Sequence, residues 1–205
     1  WGMNAPFLGL GSSYASQSHI TVPTQLGTDT NWKTAAAGFG FFLAVKNDNT
    51  LWAWGGGDNG QLGNGTTTSS PLPIQIGTAT DWETVEADSQ SSFAIKTDGT
   101  LWAWGRNING QLGNGTQTNL FIPTQITTTS DWQAISTGSV TTSSALKTDG
   151  SLYSWGSNEF GTLGDGTYVN QLSPLRINSC DLDTEDFDKN QKANLYPNPV
   201  QNNLF

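Results

Sequence analysis

Apolar residues fall in short runs along this chain, and within each run they alternate, or nearly alternate, with polar or small ones. Phe93-Ala94-Ile95-Lys96 and Leu101-Trp102-Ala103-Trp104 are representative. A two-residue period puts successive side chains on opposite faces of a strand, and no stretch carries the spacing of an amphipathic helix. Gly, Asn and Asp punctuate the runs. Asp98-Gly99 and Asp149-Gly150 each separate two apolar runs, and Asp48-Asn49 fills the same place earlier. That pattern predicts tight hairpins with both turn residues at positive φ. The chain thus reads as short antiparallel strands joined by Gly-rich loops.

The pattern recurs about every fifty residues, a period that signals stacked or radial repeats. Leu51-Trp52-Ala53-Trp54-Gly55 returns as Leu101-Trp102-Ala103-Trp104-Gly105 and as Leu152-Tyr153-Ser154-Trp155-Gly156. "GQLGNG" at 60–65 and 110–115 becomes "GTLGDG" at 161–166, and each unit closes on "PIQI", "PTQI" or "PLRI". The units run from about 28–77, 78–127 and 128–177, and a partial unit at 1–27 begins with Trp1-Gly2 in the place of Trp54-Gly55. All 9 tryptophans lie on this register: 1, 54, 104 and 155; 32, 82 and 132; 52 and 102, with Tyr153 completing the last set. Trp52 and Trp54 leave one face of their strand, Leu51 and Ala53 the other, so both faces need cover, which neighbouring sheets supply by radial stacking. The indoles are accordingly expected in the core, not in a ligand groove.

"DGTLWAWGRNINGQLGNGT" followed by P-x-Q-I closely resembles the repeat of the regulator of chromosome condensation family. The resemblance covers residues 1–177 and implies an all-β fold, a partial β-propeller with three whole four-stranded blades and half of a fourth, taken from a ring of seven. Asp88 in the place of Gly38 and Gly138, and Thr162 in the place of Gln, are the departures. Family members include a nucleotide-exchange factor and protein inhibitors, which implies protein recognition. Residues 178–193 form an acidic linker. At 194–205, "NLYPNPVQNNLF" resembles the opening strand of the C-terminal sorting domain of the type IX secretion system, with Tyr196, Pro197, Asn198 and Pro199 as its core. This second resemblance implies export through that machinery to the cell surface or medium. It also implies that the chain is clipped at Phe205, as the opening at Trp1, part-way through a repeat, implies a clipped start.

Charge and chemistry narrow the function. A net charge of −9, with 8 Lys plus Arg scattered singly, argues against nucleic acid. No apolar run is long enough for a membrane-spanning helix. Cys180 is the single cysteine, which excludes an internal disulfide. His19 is the single histidine and is read as a loop residue. The recurring Asp48, Asp98 and Asp149 are assigned to turns, and Asp81 and Asp131 to bonds with loop backbone. "GQLGNG" lacks the Lys-Ser/Thr ending of a phosphate loop. Asn64-Gly65-Thr66 is a turn in register before it is a glycosylation acceptor. The acids of 180–190 lack the glycine and terminal Glu of a calcium loop.

No catalytic residue, metal site or cofactor is therefore expected. Segments that vary between units, "GGDNG", "RNING" and "SNEFG", are left to a partner. Phe7, Tyr14, Phe121, Phe160 and Tyr168 in or beside such loops are the candidate binding residues. The expected function is a non-catalytic, secreted or cell-surface protein-binding module. The alternative is a glycan-binding accessory module using Phe160 and Tyr168.

Overall fold

The computed structural model describes residues 2–3, 8–10 and 19–177. Among these residues there are strands and turns but no helix. β1 (Gly2–Met3) pairs with β2 (His19–Ile20). Three antiparallel four-stranded sheets follow. The first unit holds β3 (Trp32–Ala37), β4 (Phe41–Lys46), β5 (Leu51–Gly55) and β6 (Ser70–Gln75). The second holds β7 (Trp82–Ala87), β8 (Ser91–Lys96), β9 (Leu101–Gly105) and β10 (Leu120–Gln125). The third holds β11 (Trp132–Ser139), β12 (Thr142–Lys147), β13 (Leu152–Gly156) and β14 (Gln171–Ile177). Each sheet pairs its strands in chain order. This is the blade arrangement expected of a partial propeller.

Period-two alternation explains how the blades stack. Phe41, Leu43, Val45, Leu51 and Ala53 of the first sheet meet Trp82, Ala94 and Trp104 of the second in one core. The opposite face of the second sheet, with Phe93, Ile95, Leu101 and Ala103, meets Trp132, Ala145 and Trp155 of the third. Trp104 and Trp155 are fully buried, and Trp54, Trp82 and Trp132 nearly so, as the register requires. β7 packs on β3 and β4, and β11 on β7 and β8, so the first strands line the inside of the arc. Pro73, Pro123 and Pro174 lie on the last strand of each sheet, an edge where a missing N–H costs no ladder bond.

The hairpins between second and third strands differ from the expected turn. Only Asn49, Gly99 and Gly150 have positive φ; Asp48, Asp98 and Asp149 do not. The Asn49, Gly99 and Gly150 N–H groups donate back to the Lys46, Lys96 and Lys147 carbonyls. Lys46, Lys96 and Lys147 N–H in turn donate to Thr50, Thr100 and Ser151. This is a type I turn followed by one left-handed residue, the three-residue hairpin loop. The aspartate stays right-handed because its carboxylate is engaged. Asp98 Oδ1 accepts from the Thr100 N–H at 3.0 Å and hydroxyl at 2.6 Å, and Asp48 and Asp149 do the same with Thr50 and Ser151.

Candidate functional site

The strand order sorts the loops to two ends of the blades. One end carries the hairpins between first and second strands, 38–40, 88–90 and 140–141, and the long third-to-fourth connections, 56–69, 106–119 and 157–170. The other carries the Asp-containing hairpins and the links between units.

At the first end the long connections are fixed from within. Asn107 is fully buried, and its amide nitrogen donates to the Asn114 side chain and to the Thr116 and Thr118 carbonyls, at 2.9 to 3.1 Å. Its amide oxygen accepts the Leu112 N–H at 2.9 Å. Asn158 repeats this with Asp165, Thr167 and Leu163. So the segments read as free of the fold are not. One asparagine in two of the three copies organises the loop, while the first copy has Gly57, where a Cβ would lie 2.5 Å from the Thr68 carbonyl oxygen. The signal was present in the sequence, but an Asn among Gly, Asn and Asp looks like any turn residue.

The loops at this end present apolar side chains to solvent. Phe39 is 80% exposed at the tip of the first unit's hairpin, Val140 sits at the equivalent tip of the third, and Ile108 projects from the second long connection; the last two are about half exposed. Phe39 is held in place by its N–H, which donates to the Ser89 carbonyl of the next unit at 3.0 Å. Between them, Arg106 donates to the Gln90 side chain at 2.8 Å. Asp88 is buried beneath; burial pushes its carboxyl up, opposed by the Ser89 N–H and by the Arg106 charge. Burial likewise raises Glu86 on β7. None of Phe39, Ile108 and Val140 was singled out from sequence, because a lone apolar residue in a turn carries no periodicity.

The expected binding aromatics fall differently. Phe121 lies at the junction of the first two units. Its ring would touch a Cβ on Gly60 at 2.5 Å, and its carbonyl accepts the Gly65 N–H at 2.8 Å. Phe160 and Tyr168 are 85% and 76% exposed, near Gly161. They stand on the side of the third unit that corresponds to the receiving side of units one and two. There Gly60 faces Phe121 and Gly63 faces Trp104, whereas nothing lies near Gly164. The structure places Tyr168 beside Gly161, the neighbour of Phe160 in the chain, and Phe121 at the junction of the first two units. Phe7, Tyr14 and Tyr196 to Pro199 lie outside the described residues.

The opposite end is built on three cages. Lys46 Nζ lies 3.9 Å from the Trp52 ring centre and 4.7 Å from that of Trp32. Lys96 lies over Trp82 and Trp102, and Lys147 over Trp132 and Tyr153. Each ammonium also meets an aspartate: Asp29 at 2.7 Å, Asp81 at 3.1 Å and Asp131 at 3.0 Å. The Asp131 carboxyl is held low by the Lys147 bond. The Asp81 and Asp131 carboxylates therefore pair with lysines, partners that the sequence did not point to. An ammonium between two rings is worth up to about 2 kcal/mol when desolvated, and here it pins the link between units to the strand ends.

Among the described residues no three of His, Cys, Asp and Glu are grouped closely enough to hold a metal ion. His19 is exposed on β2, in register with Met3. No helix of the described residues is long and apolar enough to cross a membrane.

The family described as the regulator of chromosome condensation (RCC1) repeat matches residues 48–95, 98–143 and 149–183, and a second description of the same repeat matches 32–61. No curated protein sequence gives a significant match. Among solved structures, Prp20p of Saccharomyces cerevisiae, studied for its binding to Gsp1p and histones, is similar with a TM-score of 0.66 and 23% identity. That match covers 73% of this chain and 39% of Prp20p. Yeast RCC1 (Prp20) bound to Kap60 gives 0.64 and 23%, over 73% of this chain and 37% of that one. Human WBSCR16 gives 0.65 and 23%, over 74% and 39%. This chain thus spans well under half the length of the structures it resembles.

Proposed function

Given that the chain belongs to the regulator of chromosome condensation repeat family, we propose that it is a non-catalytic module that binds another protein through the end bearing Phe39, Ile108 and Val140. The observation that carries this reading is three large apolar side chains exposed at one end of the blades, Ile108 on a connection held by the buried Asn107 and Phe39 on a hairpin bonded to the next unit. Ordering such loops on binding costs little, so their apolar area is available for affinity. A net charge of −9 favours a partner whose rim is basic. Proteins bind the similar yeast propeller, Gsp1p and histones by one account and Kap60 by another; that supports the class of partner, not its identity.

The same reading places the protein at the cell surface or in the medium. It rests on Tyr196-Pro197-Asn198-Pro199, outside the described residues, and fractionation of the producing cells tests it.

The binding reading is tested by affinity capture with the full chain against Phe39→Ser and Ile108→Ser, both at exposed positions that leave the melting temperature unchanged. A partner retained by the wild type and lost from both variants is expected. Equal capture by all three proteins would refute it.

A further inference from the structure

The three long connections repeat one tight turn at the protein-binding end. The Gly60 N–H donates to the Gly57 carbonyl at 2.8 Å, Gly110 to Asn107 at 3.0 Å and Gly161 to Asn158 at 3.0 Å. The first residue inside each turn is exposed, and the three differ in kind: Asp58, Ile108 and Glu159. Along the arc, one structural position thus offers a carboxylate, an aliphatic side chain and a carboxylate. Neighbouring sheets stack on the order of 10 Å apart, so each carboxylate stands roughly that far to one side of Ile108. Phe39 shares the first unit with Asp58, and Val140 shares the third with Glu159.

Every other acid among the described residues is engaged. Asp29, Asp81, Glu83 and Asp131 pair with lysines at the opposite end. Asp48, Asp98 and Asp149 hold their turns, and Asp165 accepts from Asn158 and Thr167. Asp88 accepts the Ser89 N–H, and Glu86 the Thr137 hydroxyl at 3.5 Å. Asp58 and Glu159 have neither a hydrogen bond nor an ion pair among the described residues. Cations are divided just as unevenly. Lys33, Lys46, Lys96 and Lys147 all lie at the opposite end, and Arg106 at this end donates to Gln90. The protein-binding end therefore holds two unmatched negative charges around an apolar centre. Water solvates them in the free protein. A partner seated on Ile108 displaces part of that water, which favours one that brings the opposite charge and disfavours one that does not.

We propose that this end takes a basic amphipathic segment of a protein partner, its apolar side chains on Phe39, Ile108 and Val140 and its Lys or Arg groups at Asp58 and Glu159. The inference rests on the protein-binding reading above and names the chemistry of the partner. A helical segment suits the spacing, because two helical turns advance about 10.8 Å and return to the same face. A basic residue two turns to either side of a central apolar one then meets each carboxylate. An acidic segment with the same apolar face is repelled at both ends. Asp58 and Glu159 are thus assigned as specificity-determining residues, and Ile108 as the apolar seat between them.

The test is fluorescence anisotropy of two labelled amphipathic helical peptides, each about 20 residues long, or some 30 Å of helix. One is built of Leu and Lys, the other of Leu and Glu in the same order. The full chain is expected to bind the lysine peptide at least about tenfold more tightly than the glutamate peptide. Asp58→Asn and Glu159→Gln each remove a charge at an exposed position that makes no bond, so the fold is kept, and their melting temperatures check this. Each is expected to weaken the lysine peptide about threefold, and the pair together about tenfold. Glu83→Gln removes the same charge at the opposite end and leaves the affinity unchanged. Equal affinity for the two peptides, a double variant that binds like the wild type, or a loss from Glu83→Gln as large as that from Asp58→Asn overturns the inference. Partner capture separates this result from the reading beneath it. A partner lost from Phe39→Ser and Ile108→Ser but held in full by the Asp58→Asn, Glu159→Gln double variant sinks the inference and leaves the protein-binding reading standing.

Discussion

Gly63 and Gly164 occupy the same place in the first and third copies of the repeat, yet one meets a neighbour and the other does not. A Cβ on Gly63 would lie 2.8 Å from the Trp104 indole nitrogen and 3.1 Å from Pro123. That nitrogen donates to the Gln61 carbonyl at 2.9 Å, as Trp155 donates to Gln111 at 2.8 Å. The glycine therefore lets one blade's backbone lie flat against the next blade's indole. Both glycines have φ near +70, at +75 and +71, so a side chain is strained at either. Gly164→Ala is expected to cost about 1 kcal/mol through φ alone. Gly63→Ala adds the clash with a well-packed wall, for a total of about 3 kcal/mol. Chemical denaturation of the two variants measures the difference, and equal losses would show that the close approach is unimportant.

Carboxylates at this scale pull in two directions with pH. Bonds from the Thr100 hydroxyl and N–H hold the Asp98 carboxyl below its ordinary value, and Asp48 and Asp149 are held low in the same way. Their folded pKa lies under the unfolded one, so the stability they add is whole above the unfolded value of about 3.9 and is lost as pH falls through the folded value. Asp88 has the opposite sign. Burial raises it, so in the folded protein its anion is disfavoured from about the unfolded value upward. Asp88→Asn retains an acceptor for the Ser89 N–H. It is expected to melt higher than the wild type at pH 7, with the gap closing as pH drops to about 3. Thermal melts across that range check the sign.

At the scale of elements, what was legible in the sequence followed from periodicity. Alternation in Phe93-Ala94-Ile95 and in Leu101-Trp102-Ala103 gave strands buried on both faces, and the nine-tryptophan register identified a stacked repeat. The turn type was not legible, because Asp-Gly suits two hairpin loops and the Asp98–Thr100 bonds decide between them. Nor were the lysine cages. Lys46, Lys96 and Lys147 end their strands in a pattern that reads as ordinary polar alternation, and their partners Asp29, Asp81 and Asp131 lie on a different segment. The long connections were the largest miss, since their order depends on a side chain folding inward. Asn107→Ala leaves the Leu112 N–H and several carbonyls without that partner inside the protein. The expected loss is about 3 kcal/mol, with enhanced proteolysis within 107–119 as the local signature. A variant that melts like the wild type would mean that water replaces the asparagine without cost.

For the whole molecule, among the described residues, the second unit packs a four-stranded sheet against each of its faces, and the third packs one against a single face. Where the first and second units place Leu43 and Phe93 toward the following blade, the third places Ser144; where they place Ala53 and Ala103, it places Ser154. Both hydroxyls are satisfied internally, Ser144 at the Ser136 carbonyl and Ser154 at the Leu163 carbonyl. Leu146 and Leu152 on the same face remain about 40% exposed. Serines in place of apolar side chains reduce the apolar area of this face. Two outcomes follow from this asymmetry. Amide exchange is expected to be slowest in β8 and β9, buried on both faces, and fastest among the strands in β13 and β14, where one face is wet. Ser144→Phe puts the residue of the second unit on this face and enlarges its apolar area, and is expected to drive concentration-dependent association of this chain in sedimentation while the melting temperature of the dilute protein changes little. A monodisperse Ser144→Phe at high concentration would mean that the face is protected by something other than its serines.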